Sequence, residues 1–275
     1  MTHEVLSPNS RTEASPTPEI KERYRLVDTG AIAIFGEEGA GKSNLAGELA
    51  KLLDARLLKG GEDMRIKAGG TSGTIGYIER SLSDDISLDE KQKQDMISSN
   101  PDNPLVNESR LSGFIATGIM QEDPSRKIIR INVTAPSKIR MARIRKRALE
   151  EWGEKKIKLF DFLNRGFVTD DEFARLADTL EAQKRELSID KIRVKEKDRR
   201  QRDQAQWTEE FPELEGRDPL NPGTRINGEK LYDLTISTRK RSKAETLEFV
   251  VNWLIANGDM VKDGDPDRVD QPKVA

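Results

Sequence analysis

The stretch AIAIFGEEGAGKSNLAGELAKLL, residues 31–53, decides how the rest of the chain is read. Five apolar residues run straight into a loop with glycines at 36, 39 and 41, and an amphipathic helical pattern follows from about Lys42 to Leu53. Gly36-Glu37-Glu38-Gly39-Ala40-Gly41-Lys42-Ser43 matches GxxxxGK[ST] in full. Glycines let a backbone wrap an anion with its N–H groups turned inward, without Cβ clashes. The helix that follows presents its positive end to the same anion. Lys42 supplies a mobile charge for terminal phosphates, and the Ser43 hydroxyl can bind magnesium. The pattern arises by chance roughly once in a hundred chains of this length, but here it has the apolar strand before it and the helix after it. Gly36 to Asn44 is therefore read as a phosphate cradle.

Working outward, four more compact apolar runs fall at ARLLKG (55–60), PLVNES (104–109), KIIRINVTA (127–135) and LYDLTIST (231–238). Apolar strands separated by helical stretches predict an α/β fold, a five-stranded parallel sheet covered on both faces in three layers. The segment from about 148 to 212 breaks this rhythm, being long, charged and free of strand patterns. It reads as a helical lid insertion, with a capping box at Thr169-Asp170-Asp171-Glu172 opening one of its helices. Residues 1–22 read as a disordered tail and 259–275 as a flexible one, leaving a single domain over 23–258.

Composition narrows the chemistry. The 275 residues contain no cysteine and one histidine, His3, which removes thiolate catalysis, zinc fingers and histidine-based sites, and fits a reducing cytoplasm. Any metal should be a hard cation bound through oxygen. With 47 basic and 49 acidic residues the net charge is −2, so no basic field recommends nucleic acid. No apolar run reaches membrane-spanning length. A guanine-specificity NKxD tetrapeptide and a DxxG switch are both missing. Arginines are present where a small-molecule kinase needs them: Arg65 after the second strand, Arg110 after the third, and Arg193, Arg199, Arg200 and Arg202 in the insertion. Arg140, Arg143, Arg145 and Arg147 read for the most part as a solvated helix face.

The cradle, DMR (63–65), DDISLDEKQ (84–92), NESRLSGFIA (107–116), IRMARIRKR (139–147), the arginine-rich lid and YDLTIST (232–238) occur in an order that resembles cytidylate kinase-like proteins. The similarity covers about residues 30 to 256 and is nearest to the compact archaeal-type cytidylate kinases of the nucleoside monophosphate kinase group. It implies a P-loop kinase fold and ATP- and Mg2+-dependent phosphorylation of CMP or dCMP. It further implies that Arg65 holds the acceptor phosphate, that Asp89 and Arg110 lie near the acceptor, and that Arg143 flanks the ATP base. Lys42 with Arg199, Arg200 and Arg202 would neutralise the transferred charge, and Ser43 with Glu108 would hold magnesium. The chain has Met64-Arg65, Glu108-Ser109-Arg110 and Lys195-Glu196 where the family usually has Phe-Arg, Glu-Gly-Arg and Arg-Glu, which leaves the base preference open. Also open are another acceptor, such as dephospho-coenzyme A or a nucleoside, and a non-catalytic nucleotide-binding module whose charged insertion contacts a protein partner.

Overall fold

The computed structural model describes residues 23–61, 82–165 and 169–263. In chain order the elements are β1 (Tyr24–Leu26), β2 (Ala31–Phe35), α1 (Lys42–Leu52), β3 (Arg56–Lys59), α2 (Leu82–Ser98), β4 (Leu105–Glu108), α3 (Ser112–Glu122) and β5 (Ile128–Thr134). There follow α4 (Ser137–Asn164), α5 (Asp170–Arg185), α6 (Ile189–Glu210), β6 (Arg225–Ile226), β7 (Glu229–Lys230), β8 (Leu234–Ser237), α7 (Lys243–Ala256) and β9 (Met260–Lys262).

Five strands form one wholly parallel sheet in the order β3-β4-β2-β5-β8. The five apolar runs of the sequence are its five strands; the three inner ones, β4, β2 and β5, are covered on both faces and need no polar alternation, while the edge strands β3 and β8 are buried only in part. All of Ala31–Phe35 is buried. Ile32 and Ile34 face α1 and α7 with Leu45, Leu49, Val250 and Leu254, whereas Ala31, Ala33 and Phe35 face α3 with Phe114, Ile115 and Ile119. This period-two division of β2 makes it the central strand of a three-layer α/β domain.

The carboxyl ends of neighbouring strands are brought level by their register. Ile34 sits opposite Glu108 of β4, and Phe35 opposite Asn132 of β5. Everything that follows a strand's last residue, the glycine loop above all, therefore gathers at one edge of the sheet, where open α/β sheets bind ligands.

The insertion is helical. α4 runs unbroken for 28 residues past the sheet, and α5 returns along it. Thr169 and Glu172 form the expected capping box: the Thr169 hydroxyl accepts from the Glu172 N–H while the Glu172 carboxylate accepts from the Thr169 N–H. Trp152 of α4 donates its indole N–H to the Leu180 carbonyl at 2.8 Å, and Phe160 packs on Phe173 with ring centroids 5.0 Å apart. Trp207, near the end of α6, is buried in the core beneath α3.

The expected boundary at 258 needs correction. Met260 and Val261 are buried, and β9 pairs antiparallel with β1, so ordered structure runs on to Asp263, whose N–H donates to the Arg23 carbonyl. Two apolar residues carry this extension among acidic neighbours, too few to register as a strand by periodicity.

Arg130 of β5 is buried and donates from Nη2 to Asp233 Oδ1 at 2.7 Å and from Nη1 to Thr117 Oγ1 at 2.9 Å, while its N–H donates to Asp233 Oδ2 at 2.7 Å. These bonds tie the entry of β8 to the sheet and leave a buried cation if Asp233 is lost. Asp233→Ala is expected to destabilise the fold by about 3 kcal/mol, the low end for a broken buried pair because the aspartate is partly exposed. Urea unfolding measures this, and a loss below about 1 kcal/mol would place the pair among surface ion pairs.

Candidate functional site

Gly36 leaves β2 with φ +140°, and a Cβ there would stand 2.1 Å from the Val133 carbonyl oxygen. Gly39 has φ +75°, with space for a Cβ closed by the Arg140 backbone at 2.7 Å. Only glycine fits either position, so the loop's curvature follows from residue type. Gly41, also left-handed, caps α1, and Lys42 and Ser43 open its first turn. The loop's N–H groups and the positive end of α1 thus converge on one volume at the carboxyl edge of the sheet.

The outer side of the loop is held by α4. Arg140 donates from Nη1 to the Glu38 carbonyl at 3.1 Å. Arg143 donates from Nη1 to the Gly39 and Ala40 carbonyls, both at 3.2 Å, and to Thr238 Oγ1 at 2.8 Å. Thr238 in turn donates to the Ala40 carbonyl at 2.7 Å. Three successive carbonyls are drawn outward in this way. Arg143, expected to flank a nucleotide base, braces the loop from behind with its guanidinium. Arg140, read as part of a solvated face, is 5 % exposed. The i, i+3, i+7 spacing of Arg140, Arg143 and Arg147 is the signal that could have shown one face of α4 turned to the loop.

Inside the cleft, Glu108 at the end of β4 is buried and receives two groups of the loop. Lys42 Nζ lies 3.0 Å from its Oε1, and Ser43 Oγ donates to its Oε2 at 3.1 Å. A hydroxyl and a carboxylate this close form an oxygen-only donor pair suited to a hard divalent cation. Among the described residues no group of three or more His, Cys, Asp or Glu gathers to hold a metal alone. Asn44 is exposed in the first turn of α1.

The lid helix α6 lies across the cleft. Arg199, Asp203 and Trp207 face it at i, i+4 and i+8, Glu196 pairs with Arg199 one turn earlier, and Arg200 turns to a neighbouring hollow with Glu37 and Asp218. Arg199, 7 % exposed, pairs with Glu38 of the loop at 2.5 Å and with Glu196 at 2.5 Å. Arg200 pairs with Glu37 at 2.9 Å and with Asp218. Arg110, expected beside the acceptor, lines the cleft and pairs with Asp203 and with Glu196 at 3.7 Å. Asp89 of α2 also lines the cleft and accepts from Gln92 Nε2 at 2.9 Å. Arg202 does not join them: it is exposed on the outer face of α6 with Asp198, Gln201 and Ala205. A helix turns 100° per residue, so three positions bring Arg199 and Arg202 only partly into line. Arg65 lies outside the described residues.

The two loop glutamates, read only as part of the cradle, are its most strongly partnered acidic groups. Glu37 receives Arg140 at 2.8 Å as well as Arg200, and Glu38 receives Arg147 as well as Arg199. Burial pushes the Glu38 carboxyl up, but the guanidinium groups of Arg199, Arg147 and Arg110 outweigh it and hold the group down at about 2.

No family model matches the chain, and no curated protein sequence matches it. Solved structures with a similar chain course include shikimate kinase from Acinetobacter baumannii in complex with shikimate, at 14% identity over 83% of this chain and 94% of that one, TM-score 0.42. Shikimate kinase from Aquifex aeolicus is similar at 12% identity over 82% of this chain and 97% of that one, TM-score 0.40. A gluconokinase from Sinorhizobium meliloti is similar at 17% identity over 44% of this chain and 66% of that one, TM-score 0.33. No helix among the described residues is long and apolar enough to cross a membrane.

Glu38 titrates at about 2 in the folded chain against an ordinary value of 4.5. A depressed carboxylate stabilises the fold above its unfolded pKa, and that contribution is lost as pH falls through the folded one. Glu38→Gln is expected to flatten the dependence of urea stability on pH between 4.5 and about 2 relative to the wild type. Equal slopes in the two proteins would show that the carboxylate carries no such linkage.

Proposed function

We propose that the chain is an ATP-dependent phosphotransferase acting on a small acceptor, most simply a nucleoside monophosphate such as CMP or dCMP, in the cytoplasm. The observation that carries this reading is the convergence of Lys42 and Ser43 on Glu108 at the mouth of an inward-facing loop, beneath a helix that supplies buried Arg199. Loop N–H groups and Lys42 would bind the β- and γ-phosphates. Ser43 and Glu108 would hold the magnesium ion, which when bound would supply Lewis-acid stabilisation of the charge that develops on the phosphates. Arg199 and Arg200 would neutralise the charge that gathers on the transferred phosphoryl group. An ionised acceptor phosphate attacks the γ-phosphorus in line without needing a general base; a P–O bond to the acceptor forms as the bond to ADP breaks. The cytidylate acceptor is supported by the order of motifs from DMR to YDLTIST.

The cleft beside the loop has a volume of about 120 Å3, below the ~300–1,000 Å3 of pockets that take ligands of drug size. Nucleotide entry therefore calls for outward movement of α6, and its return would exclude water from the reaction.

A second reading is transfer to a hydroxyl of a small acceptor. Asp89 and Glu210 line the cleft, and a carboxylate can take a hydroxyl proton.

The test is ADP production from ATP-Mg with CMP, dCMP, UMP, AMP, GMP, dTMP, dephospho-coenzyme A and a nucleoside. Turnover with CMP or dCMP is the expected result, and Lys42→Ala should abolish it while the fold persists. Turnover with a hydroxyl acceptor alone would establish the second reading. ATP binding with no acceptor-dependent turnover would replace the kinase with a nucleotide-binding module.

A further inference from the structure

A loop that turns its N–H groups inward carries its side chains on the rim, which is where Glu37 and Glu38 stand. The shape of the loop does not depend on the Glu38 carboxylate. It is set by the glycines and by Arg140 and Arg143, which bond backbone carbonyls. The carboxylate is committed elsewhere, to Arg147 of α4 and Arg199 of α6.

We propose that Glu38 is a positioning residue for phosphoryl transfer: its carboxylate seats Arg199 over the mouth of the cradle, so that the phosphate loop itself places the lid arginine. The role rests on the kinase reading above and adds to it a residue that the loop motif leaves unspecified.

Two features of the geometry support it. The contacts of Arg199 to Glu38 and to Glu196 both use Nη2, so two carboxylates, one from the loop and one from α6, hold the same corner of the guanidinium. The parallel contact of Arg200 with Glu37 is held by a side chain 44 % exposed, and water screens it more than the buried pair. Arg199 with Glu38 is thus the more buried of the two links between lid and loop. A carboxylate beside incoming phosphates would repel them if it stood alone. With Arg147 and Arg199 both against it, the charge of the Glu38 carboxylate is compensated.

The experiment compares the full chain with Glu38→Gln, Arg199→Ala and the double variant. Two quantities are read: steady-state kinetics with the best acceptor, and amide hydrogen exchange over Glu196–Gln206. Glu38→Gln is expected to lower kcat roughly tenfold to a hundredfold, as misplacement of a catalytic group does, with the KM for ATP changed by less than about threefold. The double variant should be no slower than Arg199→Ala, because both changes remove one unit. Exchange in α6 should quicken while that of β2 and β5 stays unchanged. An unchanged kcat, a loss confined to KM, or additive losses would overturn the role. Wild-type chain that turns over no acceptor would sink the kinase reading by itself. The exchange experiment then still decides the contact: faster α6 exchange in Glu38→Gln upholds Glu38 as the seat of Arg199, and unchanged exchange overturns it.

Discussion

A backbone can point successive N–H groups into a ligand site only if the carbonyl oxygens of the same residues find donors on the other side. In this chain Arg140 and Arg143 provide them, reaching about a hundred residues back to the loop that follows β2. The constraint links three levels of the structure. Glycine at 36 and 39 permits the curvature, β5 delivers α4 to the outer side of the loop, and the guanidinium groups of buried Arg140 and half-buried Arg143 hold the curvature against relaxation. A neutral side chain could not offer several donors in one plane at that distance from its own helix.

The cleft that results is rich in charge of both signs. Lys42 is matched by Glu108, Arg110 by Asp203, Arg140 by Glu37, and Arg199 by Glu38 and Glu196. Each pair lies at least partly out of water, where a lone charge would be costly. The charge density noticed in the composition is therefore not all on solvated faces: part of it builds the junction between sheet, α4 and lid.

How far the molecule was legible in its residues depends on the range of the interactions involved. Ala31–Phe35, β4 and β5 announce strands because they are buried along nearly their whole length, whereas the edge strands β3 and β8 are buried only in part; the glycine loop announces itself by spacing. The capping box at Thr169 and Glu172 is local and equally plain. Resemblance ties Arg143 to a base and charge pattern ties Arg140 to solvent, but neither shows the loop carbonyls that both meet, because those partners lie about a hundred residues away and no local pattern reveals them. Arg199 and Arg202 look alike in a basic run, and only the phase of α6 against the sheet separates the buried residue from the exposed one. β1 and β9, three residues each and paired across more than two hundred positions, lie below what periodicity can detect.

That short pairing settles the direction in which the domain can be tethered. Asp259 meets Lys127 just before β5 begins, and its carbonyl accepts from Val27 on the approach to β2, so β1 and β9 lie toward the amino ends of the strands. The cradle occupies the carboxyl ends. A support, a label or a second domain fixed at Arg23 or Asp263 would thus hang from the pole opposite the cleft, and two such attachments would emerge side by side. Mechanical load applied between them would unzip a three-residue ribbon pair by pair before it reached the loop or its lid.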